Sequence, residues 1–191
     1  MSLQPPANDW QIKPLGKDEK VWMYIIILMI LMMGIMTIGW VFVGDQNVPE
    51  EYHHYDNASD LRTAFIAGNS DPQITLVSLS NGETAFSRTT AGDIYLVASQ
   101  WQWEARNGNG DYAYSIQLKE GIRYQLHLGS TDVLHGFELI GGDFILTLQV
   151  VPLYDYVLDF TPTQTGLFRI ICNEYCGYGH QAMTSFFEVI A

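Results

Sequence analysis

Hydrophobic positions follow two different patterns along the chain. Near the N-terminus one unbroken apolar run, Val21–Val43 (VWMYIIILMILMMGIMTIGWVFV), holds 23 residues without a charged side chain. As a helix it spans roughly 35 Å, against roughly 30 Å of bilayer hydrocarbon, so the run predicts a transmembrane helix. Trp22, Tyr24 and Trp40 lie near its ends, where amphipathic rings favour the headgroup zone. The run is too long for a signal-peptide core, and GDQNVPEE after it offers no small-x-small cleavage pattern, so it reads as a retained anchor.

Residues 44–72 have no sustained period. Asp45, Asn47, Pro49, Asn57, Asp60, Gly68, Asn69 and Pro72 interrupt them, which predicts a polar tether with one short helix near Asp60–Ala67. From Gln73 onward, short runs rich in Val, Ile, Leu, Thr, Tyr and Phe are separated by Gly, Asn, Asp and Pro. QITLVSL, DIYLVASQW, YAYSIQL, RYQLHL, GFELI, FILTLQV, YDYVLDF, GLFRIIC and SFFEVI each have strand length and composition. In YDYVLDF the alternation places Tyr154, Tyr156, Leu158 and Phe160 on one face. The expected fold is mainly β, an antiparallel sandwich preceded by one helix. Its segments are 1–20 (N-terminal), 21–43 (membrane), 44–72 (tether) and 73–191 (β-domain).

Charge gives this plan an orientation. Lys13, Lys17 and Lys20 precede the apolar run, whereas the first ionised groups after it are Asp45, Glu50, Glu51 and Asp56. The bias of cationic loops toward the cytoplasm places the N-terminus inside and the β-domain outside the membrane. Residues 1–20 are neutral, since Asp9, Asp18 and Glu19 balance the lysines, so the net charge of −12 falls on the part after the helix. Such a domain repels nucleic acid and attracts basic partners.

The chemistry gathers in one loop. The only cysteines, Cys172 and Cys176, lie within twelve residues of His180 and of Met183, the one methionine beyond the helix. Two thiolates, an imidazole and a thioether are soft donors of the kind that select copper. Zinc with Cys₂His and a fourth ligand, and a plain disulfide in an oxidising compartment, are the other readings of these residues. Gly177 and Gly179 argue for a loop rather than one continuous helix. His53 and His54 sit side by side in the polar segment without a further ligand at useful spacing.

The loop CNEYCGYGHQAM resembles the copper loop of cytochrome c oxidase subunit II, a C-x-E-x-C-G-x-x-H-x-x-M pattern, and Asp132-Val133-Leu134-His135 resembles that family's D-V-x-H motif. Gln100-Trp101-Gln102-Trp103 resembles its aromatic stretch, and the single preceding helix is most similar to the B-type members. The resemblance covers the anchor and residues 90–191. It implies a cupredoxin-like Greek-key domain holding a dinuclear CuA centre of two copper ions. Cys172 and Cys176 would bridge the coppers, His135 and His180 would each bind one, and Met183 and the backbone carbonyl of Glu174 would be weak axial ligands. Asp132 is a candidate for orienting His135. In some members the carboxylate matching Glu174 also reaches a magnesium ion at the interface with subunit I, although B-type relatives often lack an acid there.

The implied function is to accept single electrons from a soluble, basic cytochrome c and to pass them to haem in the membrane-bound catalytic subunit I, where oxygen is reduced. A CuA-containing nitric oxide reductase would need the same ligands, and a copper-delivery or storage protein is a rival of another class. The family's exposed aromatic makes Trp101 and Trp103 the candidates for receiving electrons. As strand residues they would share one side, with Gln100 and Gln102 on the other; packing inside the sandwich is the alternative reading. His127 matches nothing in the pattern.

Overall fold

The structure is a computed structural model and describes residues 14–43, 49, 51–141 and 145–191. Lys13, Asp45, Asn47, Glu50 and Phe144, which figure in the sequence expectations, lie outside the described residues. The chain divides into two units, residues 1–46 and 47–191.

In the first unit, α1 (Lys17–Val43) carries Asp18 and Glu19 in its first turn, where acidic side chains favour the helix dipole. It is long and apolar enough to cross a membrane, and none of its residues is buried.

The second unit begins with β1 (Glu51–His54), α2 (Ala58–Gly68), β2 (Ile74–Ser78) and β3 (Thr84–Arg88). It continues with β4 (Gly92–Ser99), β5 (Gln102–Arg106), β6 (Tyr112–Ala113), β7 (Ser115–Lys119) and β8 (Tyr124–Ser130). The last strands are β9 (His135–Ile140), β10 (Ile145–Val150), β11 (Tyr154–Phe160), β12 (Gly166–Cys172) and β13 (Thr184–Ile190). They form one sheet in the order β1-β11-β8-β4-β5-β6 and another in the order β10-β9-β12-β13-β7-β3-β2. Period-2 alternation explains the core between them. On β8, Tyr124, Leu126 and Leu128 are fully buried, and on β9 Phe137 and Leu139 are. Trp103, Phe86, Ile116 and Phe187 complete it.

Two expectations need correction. The sandwich is not purely antiparallel, because β4 pairs with β8, β3 with β7, and β7 with β13 in parallel. Parallel neighbours need a long crossover, and each of these pairs is separated by other strands that supply it. The polar segment is also no free tether over residues 51–69. β1 extends the first sheet by pairing with β11, and α2 packs on that sheet's outer face.

Local chemistry explains α2. Asn57 caps its N-terminus by accepting from the Asp60 N–H at 3.0 Å. Asn69 closes the other end by hydrogen-bonding both the carbonyl and the N–H of Tyr95, which fixes the helix to β4. Leu61 and Phe65 are buried beneath it with Val97. Arg62 reaches Glu104, a fully buried carboxylate also held by Arg106, and donates to Thr131. Removing the Phe65 ring leaves a cavity that neighbouring strands cannot fill. Phe65→Ala should destabilise the second unit by about 3 kcal/mol, seen as a lower urea midpoint for the full chain in detergent. An unchanged midpoint would mean that α2 contributes nothing to the folded domain.

Candidate metal centre

β9, β12 and β13 lie side by side, and their ends build the site. His135 is the first residue of β9 and Cys172 the last of β12, so antiparallel pairing brings them to the same edge. The loop that follows carries Cys176 and a 3₁₀ turn, His180–Ala182, and re-enters the sheet at Thr184. A bond from the Cys172 N–H to the Met183 carbonyl at 3.1 Å closes this loop at its base. Gly136 lets it approach, since a Cβ there would come within 2.8 Å of the Glu174 nitrogen and still closer to the Asn173 side chain.

The sulfurs of Cys172 and Cys176 lie 3.7 Å apart, both buried and free of a disulfide. Nδ1 of His135 is 3.8 Å from the Cys172 sulfur, and Nδ1 of His180 is 3.7 Å from the Cys176 sulfur. The Glu174 carbonyl oxygen lies 3.2 Å from Cys172 Sγ and Met183 Sδ lies 3.8 Å from Cys176 Sγ. His135, Cys172 and Cys176 form a cluster whose potential ligand atoms all lie within 4.8 Å of one another. The structure therefore gathers all six sequence-predicted donors. The Glu174 carboxylate turns away and accepts from Gln149 at 2.6 Å.

Electrostatics favour a cation here. Burial pushes the Cys172 thiol up, but contacts with His135, the backbone of Gly136 and Glu174, and His180 outweigh it and bring it down to about 6. Burial and the neighbouring Cys172 sulfur push Cys176 in the opposite direction. Two adjacent thiolates in this space need positive charge between them. Fully buried His135 is drawn two ways: burial lowers its proton affinity, while Cys172 and Asp132 raise it, with a net rise. Asp132 accepts from His135 Nε2 at 2.8 Å and from the N–H groups of Val133 and Gln100 at 2.7 and 2.6 Å. Burial opposes its ionisation, but these bonds hold the carboxyl below its usual value. With Nε2–H given to Asp132, the Nδ1 lone pair is left to face the sulfurs.

The two tryptophans do not share a face. β4 ends at Ser99 and β5 starts at Gln102, so Trp101 falls in the turn between them and is 41% exposed. Trp103 is completely buried and packs edge-on against His135 at 6.2 Å and Phe137 at 5.5 Å. That corrects the assignment of Trp103 as a surface electron acceptor. On the loop itself Tyr175 and Tyr178 are the most exposed rings, at 80% and 89%.

Sequence reasoning passed over Gln100 and Gly136; the glycine directly after the D-V-x-H histidine was the one available signal. It also left His127 as an ordinary polar residue. His127 is buried, pairs through Nδ1 with Asp155 at 2.8 Å and stacks on Tyr95 at 4.1 Å. His53 and His54 lie on β1, where His53 is 3.7 Å from Glu51 and His54 packs on Tyr154.

No family model matches the chain. A 68-residue stretch is 37% identical to cytochrome c oxidase subunit 2 of Thermus thermophilus, covering 36% of this chain and 49% of that protein. The cytochrome c oxidase subunit 2 of a second Thermus thermophilus strain matches with the same identity over 39% of its length. The chain thus spans half or less of the curated relatives it matches. Among solved structures, a chain of a heme-copper terminal oxidase dimer superposes with a TM-score of 0.53 at 19% identity, covering 91% of this chain and 100% of that one. Rusticyanin from Thiobacillus ferrooxidans gives 0.51 at 11% identity, covering 75% and 99%. At such identities the likeness is one of fold, and the fold is a cupredoxin-like sandwich.

The Asp132–His135 bond has a measurable consequence. Asp132→Ala should weaken metal binding at this cluster by about tenfold or more, measured by competition with a chromophoric chelator. Unchanged affinity would mean that packing against Trp103 and Phe137 alone orients the imidazole.

Proposed function

We propose that this relative of cytochrome c oxidase subunit 2 is the electron-accepting subunit of a membrane haem–copper oxidase, with a dinuclear copper centre in its β-domain. One observation carries the reading. Each sulfur of the close pair has its own imidazole nitrogen at 3.7–3.8 Å and its own weaker donor, the Glu174 carbonyl on one side and the Met183 thioether on the other. A single metal has no use for two such half-sets, whereas two metals bridged by the thiolates use every donor. Soft sulfur and imidazole donors suit copper. Two copper ions held there supply one-electron chemistry in which the change of charge is shared between them.

The chain's own residues prepare the site for that work. Strand ends and the closed loop fix the donors, so little has to move when charge changes. Trp103, Phe137 and the buried face of Met183 keep water out. Asp132 holds the His135 ring in place. Trp101, Tyr175 and Tyr178 present aromatic surface beside the loop, and Trp101 donates from Nε1 to the Cys176 carbonyl at 3.3 Å. This gives a docked redox partner a direct path from the Trp101 ring to a bridging cysteine.

In this reading α1 spans the membrane with its N-terminus in the cytoplasm. The acidic domain receives electrons from a soluble basic cytochrome c, and a haem-bearing subunit I accepts them for reduction of oxygen. Donors this deeply buried suit electron transfer better than copper delivery, which needs exchangeable ligands. The same apparatus would serve a nitric oxide reductase, and the co-purifying catalytic subunit distinguishes the two. With the Glu174 carboxylate held by Gln149, magnesium has no part in the proposal.

Copper-loaded full-length chain should contain about two coppers, with one unpaired electron spread over both when oxidised. Met183→Leu should keep that stoichiometry and shift the midpoint potential. One copper per chain with a mononuclear paramagnetic spectrum would overturn the dinuclear reading.

Trp101→Ala should slow reduction by cytochrome c without altering the copper spectrum. The wild-type rate should fall with salt, because screening over roughly 8–10 Å weakens steering by the −12 charge. Stopped-flow rates across an ionic-strength series test both. Rates indifferent to the substitution and to salt would place the docking surface elsewhere.

A further inference from the structure

We propose that Gln100 is a positioning residue for the metal centre, tying the turn that carries Asp132 and His135 to the loop that carries Cys176. The inference rests on the copper reading above and extends it to a residue outside the donor set. Gln100 makes this tie twice. Its backbone N–H donates to Asp132 Oδ2 at 2.6 Å, and the other oxygen of that carboxylate holds His135 Nε2 at 2.8 Å. Its side-chain amide donates to the carbonyl of Cys176 at 2.5 Å, 76 residues along the chain. One residue thus joins a histidine donor, through Asp132, to the backbone of a bridging cysteine.

The loop is shaped to receive it. Gly177 has φ +115°, and a Cβ there would come within 2.8 Å of Gln100 Nε2. A Cβ on Gly179 would come within 2.5 Å of the Trp101 ring. Side chains are absent at both positions where Gln100 and Trp101 lie against the loop. Between its closed base and the 3₁₀ turn, the segment around Cys176 belongs to no strand, so sheet pairing does not fix that sulfur. Cys176 is 3% exposed, and its carbonyl would keep only the 3.3 Å bond from Trp101 without the Gln100 amide. A poorly satisfied buried carbonyl favours a loop that swings outward to find water.

Gln100→Met keeps the side chain's length and removes the donor, while Gln100→Glu keeps its shape and sets a carboxylate against the carbonyl. Both leave the backbone bond to Asp132 in place. In the copper-free full-length chain in detergent, alkylation of Cys176 by iodoacetamide, resolved by peptide mass spectrometry, should accelerate about tenfold in both variants, the worth of one hydrogen bond to a buried carbonyl. Alkylation of Cys172 should stay as in the wild type. After loading, copper should pass to a chelator about tenfold faster with an altered absorption spectrum. Wild-type reactivity at Cys176 together with wild-type copper release would overturn the proposal. So would equal acceleration at both cysteines with a lowered unfolding midpoint, which is the signature of general destabilisation. If the wild-type chain takes up no copper, the copper reading fails, and the alkylation rates still decide whether Gln100 positions the loop.

Discussion

Two buried cysteine sulfurs held 3.7 Å apart are the constraint around which the β-domain is organised. As neutral thiols they are ordinary core residues, but as thiolates they repel in a space too dry to screen them. Strand register places Cys172 opposite Phe137, two residues after His135, so the imidazole arrives at the sulfur without any adjustment of the loop. The loop then has to return a second sulfur to the same point, and Gly136, Gly177 and Gly179 make room where any side chain would collide. Asp132 supplies negative charge on the far side of His135, so the imidazole presents a lone pair inward.

The donor set was legible because it is local. Cys172, Cys176, His180 and Met183 share a loop whose spacing is itself the signal, and His135 could be added through a second short motif. Strands were legible from alternation and turn residues. Their partners were not, because period-2 patterning says which face is buried and nothing about which neighbour lies alongside. The parallel pairings of β4 with β8 and of β7 with β3 and β13 therefore appear only in three dimensions.

The failure at Trp101 and Trp103 has a different cause. The alternation rule assumes a continuous strand, and the chain turns between the two residues, sending one ring out and the other into the core. The polar segment misled for a related reason. Its turn formers really do break the period, yet Asn57 and Asn69 do so as helix caps, and the short helix between them buries Leu61 and Phe65. Beneath that helix, the charge on Asp155 finds its partner in His127, a residue with no motif around it.

The strand after the copper loop lies between β12 and β7, not at a sheet edge. Until β13 is in place, β12 has one neighbour fewer, and the Met183 carbonyl that closes the loop on Cys172 has no fixed position. Contacts of such long sequence separation form late. A chain threading out of a ribosome or a translocation channel therefore exposes both cysteines as separate, oxidisable thiols for as long as β13 is still inside. Chemistry during that interval, before any sandwich exists to bury them, decides whether the pair survives to meet its metal.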